Sequence, residues 1–237
     1  MEQDPGKLMK EAAGKAAVDA LVKSGMKLGL GTGSTAIHAV RRVGELIKQG
    51  VLCDICAFAT SFQTEIECEK LEIPFFTLNS RQLSGGLDLT IDGADEVDPK
   101  NLVIKGGGGA LLIEKLTAYA SSSFAVVADE SKLTESLGTG FPVPVEVIPE
   151  ARVQAAKALE KLGAAVTLRE ALRKAGPVIT EHGNLILDIR FGSPVDPEAM
   201  EIELNKIPGV VENGFFTRNL PVVFIAHSNG TIETRKR

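Results

Sequence analysis

Three short segments of the chain carry the residue types that could bind and transform a phosphorylated small molecule. They are Gly31–Thr35 (GTGST), Asp92–Glu96 (DGADE) and Lys105–Gly109 (KGGGG). In the first, backbone N–H groups, the hydroxyls of Ser34 and Thr35 and the start of a helix would form a cradle for an anion such as phosphate. The alternative is a plain glycine-rich turn between a strand and a helix.

Two better-known phosphate-binding loops do not fit the first segment. A Walker loop requires a lysine before the Ser/Thr pair, and Gly33 stands there instead. A dinucleotide fold expects an acidic residue at the end of the second strand, and that strand ends in Ala59-Thr60-Ser61. The sequence therefore predicts a phosphate group without a nicotinamide cofactor.

The acidic segment follows a predicted strand, LDLTI, so that Asp92 and Asp95 would lie where open α/β sheets bind ligands. Gly93 permits a tight turn between the two carboxylates. Such a pair suits hydrogen bonding to sugar hydroxyls and proton handling during ring opening. The alternative is an Asp-Gly turn with solvated acids. A calcium loop is disfavoured because its third position would be Ala94.

The glycine segment lies between a predicted strand and a predicted helix. Its four glycines would allow close backbone approach to a ligand and would direct N–H groups at developing negative charge. Lys105 would supply a mobile cation beside them. The alternative is a flexible exposed loop.

Glu114 lies early in the helix after the glycines, on the side of the helix that carries Leu111 and Ala118. We therefore expect it to face inward. Burial favours the protonated form of such a carboxyl, whereas the nearby helix N-terminus favours the ionised form. The alternative is an ordinary acidic residue in a first helical turn.

The elements that must position these residues alternate between strand and helix. Helices are predicted over 7–22, 36–48, 62–71 and 110–122, and strands over 26–30, 53–59, 87–91, 102–104 and 124–128. This alternation predicts an α/β fold with a mostly parallel sheet and helices on both faces.

The pattern changes after about residue 138. The proline-punctuated segment FPVPVEVIPE predicts a strand at a sheet edge or a domain boundary. Helices over 151–162 and 197–206 and strands over 165–168 and 184–189 then predict a smaller α+β domain. The apolar run over 222–226 is expected to return to the first sheet. The predicted domains are 1–137 with 214–237, and 138–213.

Composition argues against several classes of protein. A net charge of −5 disfavours a nucleic-acid partner. No apolar run approaches a membrane span, and the N-terminus has no signal-peptide pattern, so a soluble cytoplasmic protein is expected. The three cysteines fit a reducing compartment. Cys53 and Cys56 would point to opposite faces of a strand, so neither a metal site nor a redox pair is expected.

Taken together in order, these motifs closely resemble the metal-independent type A ribose-5-phosphate isomerase family. The resemblance covers most of the chain. Its motifs are GTGST, Thr60-Ser61, DGADE, KGGGGALLIE (105–114), ADESK (128–132), PVEVIP (144–149), GPVIT with GNLILD (176–188) and IPGVVENGFF (207–216).

The resemblance implies a Rossmann-like domain, a smaller ferredoxin-like α+β domain, assembly as a homodimer or homotetramer, and no cofactor or metal. The reaction it implies interconverts D-ribose 5-phosphate and D-ribulose 5-phosphate in the non-oxidative pentose phosphate pathway. Glu114 matches the proton acceptor, and Lys10 is expected near the phosphate. The substrate-binding residues it implies are Thr32, Gly33, Ser34, Thr35, Asp92, Gly93, Ala94, Asp95, Lys105, Gly106, Gly107, Gly108 and Lys132.

Two rival functions remain open at the level of sequence. A transcription regulator that senses sugar phosphates can share this fold, but only about 25 residues precede the first predicted strand, too few for a DNA-binding module. A related isomerase or an aminosugar-phosphate deaminase would differ in substrate and is separable by assay.

Overall fold

The secondary-structure elements follow the predicted alternation closely. The structure is a computed structural model and describes residues 4–236. The helices are α1 (Pro5–Leu21), α2 (Gly33–Lys48), α3 (Phe62–Lys70), α4 (Leu111–Tyr119), α5 (Arg152–Lys161) and α6 (Pro197–Asn205). The strands are β1 (Lys27–Leu30), β2 (Cys56–Ala59), β3 (Leu87–Gly93), β4 (Glu96–Val97), β5 (Val103–Ile104), β6 (Ser121–Asp129), β7 (Val143–Val147), β8 (Ala164–Leu168), β9 (Leu185–Phe191), β10 (Val210–Asn213), β11 (Phe215–Phe216), β12 (Val222–Ala226) and β13 (Ile232–Arg235).

Residue contacts divide the described chain into two units. The first unit contains the residues up to Ala94, then Ile113–Lys132, and the residues from Asn219 onward. The second unit contains Asp95–Leu112 and Leu133–Arg218. The domain bounds predicted from the sequence remain a prediction.

The first unit is built on a six-stranded sheet in the order β13-β12-β6-β3-β1-β2. All neighbouring strands are parallel except β13, which pairs antiparallel with β12. The predicted α/β class and mostly parallel sheet are confirmed, as is the return of residues 222–226 to this sheet. The strands of this sheet contain uninterrupted runs of apolar residues, because a strand that is covered on both faces buries consecutive side chains. Strand β6 does so from Phe124 to Ala128.

The second unit contains a four-stranded antiparallel sheet in the order β10-β7-β9-β8. Helix α5 connects β7 to β8, and α6 connects β9 to β10. This βαββαβ sequence, with the fourth strand beside the first, is ferredoxin-like. A three-stranded sheet, β11-β5-β4, accompanies it and leads into the glycine segment.

Strand β7 lies inside its sheet, so the first of the two predicted positions, a sheet edge, is wrong; it is the first strand of the Leu133–Arg218 segment of the second unit, which fits the alternative of a domain boundary. Pro144, its second residue, has no N–H group to donate, but β10 ends at Asn213, before that donor would be needed. The carbonyl of Pro144 still accepts the N–H of Gly214 at 2.7 Å. A proline near the strand end therefore costs the interior strand little.

Several predicted boundaries were also wrong; α2 begins at Gly33 instead of residue 36, and β6 begins at Ser121 instead of residue 124. Helix α4 ends at Tyr119 instead of residue 122, because Ser121 already pairs with β3 and the side-chain amide of Asn219 donates to the carbonyls of Ala118 and Ser121. Strand β2 begins at Cys56 instead of residue 53. Asp54 adopts φ +56°, which interrupts an extended strand, so the argument from strand alternation does not apply to the cysteines.

No helix within residues 4–236 is both long enough and apolar enough to cross a membrane.

The end of β12 carries a charged cluster that should make stability depend on pH. His227 Nδ1 lies 2.9 Å from Glu130 Oε2, and Nε2 lies 3.0 Å from Glu233 Oε2. Only the protonated imidazole donates through both nitrogens. Hydrogen bonds to Glu130 and then Glu233 raise the pKa of His227 above 6.5. The pKa of Glu130 is lowered from 4.5, chiefly by Ser228 and then by His227, and that of Glu233 by Arg235 and then His227.

We therefore expect His227→Gln to destabilise the protein most between about pH 4.5 and 6.5. A histidine whose pKa is raised by folding contributes its full stabilisation below pH 6.5, its ordinary pKa, and that stabilisation is lost as pH rises through the folded-state pKa. The contribution of the lowered carboxyl pKa values is lost as pH falls below 4.5 through theirs. Urea unfolding of both proteins at several pH values measures the difference, and a difference that grows toward alkaline pH would contradict the prediction.

Candidate active site

The turn between β1 and α2 is held against the end of β3 in the first unit. A Cβ atom on Gly31 would lie 2.1 Å from Asp92 Oδ1 and 2.6 Å from Asp92 Cα, so only glycine fits there. Asp92 is 0% exposed, and its Oδ1 accepts the N–H groups of Thr32 at 3.1 Å and Gly93 at 2.7 Å. One buried carboxylate thus joins two of the three predicted segments.

The side chain of Thr32 is turned away from the helix that it precedes. Its hydroxyl lies 2.7 Å from Thr60 Oγ1 and 2.6 Å from Ser61 Oγ, and Thr64 Oγ1 donates to the carbonyl of Gly31 at 2.8 Å. Thr32 is the N-cap residue of α2 but makes no side-chain capping bond. The hydroxyl cluster therefore fixes the loop between β1 and α2. The first helical turn of α2 does not receive the usual capping hydrogen bond from the side chain of Thr32.

The same helix start has space and positive charge beside it. Gly33 adopts φ +100°, and apart from its chain neighbours and the nearby backbone of α2 no described atom lies within 4 Å of where its Cβ would be. Lys10 Nζ, from α1, donates to Ser34 Oγ at 3.1 Å. A helix N-terminus with a neighbouring ammonium group is chemically suited to a phosphate.

Glu114 lies on α4, which is tightly packed on the sheet of the first unit. A Cβ atom on Gly29 of β1 would come within 2.5 Å of Thr117 Cγ2, and Thr90 Oγ1 of β3 donates to the carbonyl of Thr117 at 3.4 Å, so the helix approaches β1 and β3 closely. Glu114 is 4% exposed, and the burial expected for it is confirmed. A carboxyl group held on a fixed helix in a low-dielectric setting can act as a positioned base.

The glycine segment of the second unit is a structured turn. A Cβ atom on Gly106, which has φ +101°, would lie 2.8 Å from Leu111 Cβ, and one on Gly107 would lie 2.5 Å from Asp95 Oδ1. The Gly107 N–H donates to Asp95 Oδ2 at 2.7 Å, and the Gly109 N–H donates to the carbonyl of Gly106 at 2.9 Å. The alternative of a free flexible loop does not fit this bonding.

Lys105 differs from the mobile cation that the sequence predicted. It is 2% exposed, and its Nζ lies 5.7 Å from the centroid of the Phe216 ring. Its N–H donates to the carbonyl of Gly214 at 3.0 Å. The ammonium group is therefore buried near an aromatic ring, and the backbone of Lys105 is fixed by its hydrogen bond to Gly214.

Sequence reasoning missed an ion pair that holds the glycine segment. Arg169 Nη1 donates to the carbonyls of Gly106 at 2.9 Å and Gly107 at 3.1 Å. Its other guanidinium nitrogens bind both carboxylate oxygens of Asp188, at 2.8 and 2.5 Å. The only available signal was Asp188, an acidic residue that follows the apolar run Leu185–Leu187 in β9.

The structure thus brings the predicted residues together in separate groups. Within the first unit, Thr32, Gly33, Ser34 and Thr35 adjoin Asp92 and Gly93, and within the second unit Asp95 adjoins the glycine segment. Ala94 is the last residue of the first segment of the first unit, and Gly108 is exposed. Lys132 ends the short 3-10 turn Glu130–Lys132 after β6 and is half-buried.

The described residues 4–236 contain no group of three or more His, Cys, Asp or Glu side chains that could hold a metal ion.

Fold and site define an α/β protein with a turn suited to an anion and a buried acid at a parallel sheet. The sequence model of ribose 5-phosphate isomerase A (phosphoriboisomerase A) matches residues 56–230. Ribose-5-phosphate isomerase A of Treponema denticola is 55% identical over 232 residues, covering 95% of this chain and 97% of the relative.

Solved structures agree with the sequence comparison. Ribose 5-phosphate isomerase A of Methanocaldococcus jannaschii has a TM-score of 0.91 at 42% identity and covers 98% of this chain and 100% of its own. A D-ribose-5-phosphate isomerase in complex with phospho-erythronic acid has a TM-score of 0.92 at 40% identity, covering 98% and 99%. The chain belongs to the ribose 5-phosphate isomerase A family, and the prediction of an aldose–ketose isomerase is confirmed.

Proposed function

We propose that the chain interconverts D-ribose 5-phosphate and D-ribulose 5-phosphate through a cis-enediol, in the non-oxidative branch of the pentose phosphate pathway. The observation that carries the mechanism is Glu114, a buried carboxyl group on a helix fixed to the sheet. Family membership supports the substrate. Phospho-erythronic acid, bound by one solved relative, carries a phosphate and a carboxylate, as a charged sugar-phosphate intermediate carries a phosphate and an oxyanion.

The phosphate would be held at the start of α2. The residues proposed for it are Thr32, Gly33, Ser34 and Thr35, with Lys10 and Lys132 as further cations. Support comes from the open space beside Gly33, the missing cap of the helix and the Lys10–Ser34 hydrogen bond. Anchoring one end of the substrate reduces the entropy cost of bringing its carbon end to the base.

The sugar and the reacting atoms would be handled by the other two segments. Asp92, Gly93, Ala94 and Asp95 are proposed to contact the sugar hydroxyls and to assist ring opening. Lys105, Gly106, Gly107 and Gly108 are proposed to stabilise the enediolate. Donors that are fixed before the reaction stabilise developing charge without reorganisation, and the buried Lys105 and the bonded glycine turn are fixed in this sense.

The proposed chemistry is a proton transfer. The Glu114 carboxylate takes the proton from C2 of the open-chain aldose, the C–H electrons form the C1=C2 bond of the enediolate, and the carbonyl oxygen takes up the charge. The protonated Glu114 then returns its proton to C1. A proton also passes from the C2 hydroxyl to the oxygen on C1, which was the carbonyl oxygen of the aldose, and C2 becomes the carbonyl carbon of the ketose. Atoms and charges balance without any further reactant.

The test is a coupled assay that compares ribose 5-phosphate with glucosamine 6-phosphate. We expect ketose formation from the first and no ammonia release from the second. Turnover of glucosamine 6-phosphate alone would establish a deaminase, and binding of either sugar without turnover would favour a sensor. Assembly as a homodimer or homotetramer and a cytoplasmic location remain predictions.

Removal of metal ions is expected to leave activity unchanged. The proposed proton transfer uses a carboxylate, an ammonium group and backbone amides, and it assigns no step to a metal. The enzyme is dialysed against EDTA and assayed before and after addition of Mg²⁺ or Zn²⁺. Loss of activity with EDTA and its return with one of these ions would overturn the metal-free mechanism.

Lys10→Met is expected to weaken substrate binding and leave the chemical step nearly intact. A lost charge-assisted contact to phosphate should raise KM roughly tenfold or more, with kcat within about threefold. Lys15→Met is the matched control, because Lys15 is on the same helix but pairs with Glu11 at 2.6 Å. Equal KM values for both variants would show that Lys10 does not contact the phosphate.

A further inference from the structure

We propose that Arg169, held by Asp188, is a positioning residue that directs the N–H group of Gly108 at the oxyanion of the reacting sugar. This inference rests on the proposed isomerase reaction and adds residues that the sequence did not suggest. It concerns side chains and backbone groups of the second unit alone. Its basis is a single guanidinium nitrogen, Nη1, that bonds two successive peptide carbonyls, those of Gly106 and Gly107.

Peptide geometry turns those carbonyl contacts into control of the amides. The C=O and N–H groups of a trans peptide point in opposite directions, and no cis peptide occurs among the described residues. With the Gly106 carbonyl bound to Arg169, the N–H of Gly107 must point away from the guanidinium. It does so, because it donates to Asp95 Oδ2 at 2.7 Å.

The same argument applies one peptide further along. With the Gly107 carbonyl bound to Arg169 at 3.1 Å, the N–H of Gly108 also points away from the guanidinium. Apart from Gly108 and its two chain neighbours, no described residue has an atom within 4 Å of where a Gly108 Cβ would be, and Gly108 is exposed, so this part of the turn borders open space. Of the two amides oriented by Arg169, one is bound within the protein and the other is directed where a ligand has room.

The charge of Arg169 should also strengthen the Gly108 amide as a donor. A cation at the carbonyl end of a peptide polarises the group and increases the positive charge at its N–H end. Asp188 fixes the plane of the guanidinium through two bonds, and the two side chains are only 14% and 19% exposed. Lysine cannot reproduce this arrangement, since one ammonium group lacks the planar fork that binds a carboxylate and two carbonyls together.

The experiment compares Arg169→Met, Arg169→Lys and Asp188→Asn with Arg190→Met. Arg190 is the matched control because it lies on β9 near Asp188 and also donates to a backbone carbonyl, that of Gly140. For Arg169→Met we expect kcat for ribose 5-phosphate to fall about 30-fold with KM within about threefold, because an oriented amide acts mainly on the transition state. Arg169→Lys and Asp188→Asn should each lower kcat by a smaller factor, and the kcat of Arg190→Met should stay within about twofold of the unmodified protein.

A structural role alone would show a different pattern. Urea unfolding and the amide shift of Gly108 in ¹⁵N-glycine-labelled protein are therefore measured on each variant. The inference is supported if kcat falls and the Gly108 shift moves while the folded fraction is unchanged. It is overturned if Arg169→Met keeps kcat within twofold, or if KM alone rises. If Arg169→Met does not fold, Arg169→Lys and Asp188→Asn decide by the same criteria.

Failure of this inference is distinct from failure of the proposed function. If the unmodified protein does not isomerise ribose 5-phosphate, the proposed function falls. If the unmodified protein does isomerise ribose 5-phosphate and the Arg169 variants keep their kcat, the proposed function stands and only the positioning role of Arg169 is overturned.

Discussion

Glu114→Gln is expected to lower kcat about 10³-fold or more while substrate affinity stays within roughly tenfold. The amide has nearly the same shape as the carboxyl group but cannot accept the proton from C2. Because the side chain is 4% exposed on a helix packed tightly on the sheet, no other group readily takes its place. Steady-state kinetics with ribose 5-phosphate, and binding of phospho-erythronic acid by calorimetry, measure the two quantities.

Glu67→Gln is the control for this variant. Glu67 is also buried and lies on a helix of the first unit, but its carboxylate pairs with Arg41 at 2.6 Å. Removing it should affect stability more than kcat. Near-normal turnover by Glu114→Gln would remove this residue from the role of base and leave the family membership intact.

Gly214→Ala is expected to destabilise the protein by at least about 2 kcal/mol and to lower kcat/KM about tenfold or more. The added Cβ would lie 2.5 Å from the carbonyl oxygen of Lys105 and 2.6 Å from Cδ of Pro144. Neither neighbour is a flexible side-chain end, so the backbone that presents Lys105 must move. Urea unfolding and steady-state kinetics give the two effects.

Gly192→Ala provides the comparison. Gly192 also lies in the second unit, and apart from its two chain neighbours no described residue has an atom within 4 Å of where its Cβ would be. Gly192→Ala should change the free energy of unfolding by no more than about 0.5 kcal/mol. Equal stability of the two variants would mean that Gly214 does not confine Lys105.

The sequence predicted the parts of the fold that depend on local pattern. Apolar runs such as residues 124–128 predicted buried strands, and strand–helix alternation predicted the parallel sheet, because both depend on neighbours in sequence. The proximity of the GTGST turn to Asp92 was predictable because parallel strands end at the same edge of a sheet. Glu114 was selected by resemblance, and only its burial followed from helical spacing.

What the sequence could not predict depends on pairings between distant residues. The place of β7 inside its sheet depends on where β10 ends, about 70 residues later. Arg169 and the glycine turn are separated by 62 residues, and no local pattern connects them. The burial of Lys105 depends on Phe216, which approaches through the β11–β5 pairing. Each of these is set by tertiary packing, which overrides local preference.

The unused cap of α2 has a consequence for the energetics of the whole protein. A helix that lacks its N-terminal side-chain cap gives up about 1 kcal/mol of folding stability. The Gly33 N–H donates to Gln63 Oε1 at 3.2 Å, and under the proposed phosphate role the substrate supplies the further acceptor that Thr32 does not, while Thr32 holds its hydroxyl in the cluster with Thr60 and Ser61. The phosphate would then complete the first turn of the helix, so the ligand is also a structural component and the occupied enzyme is the more stable form.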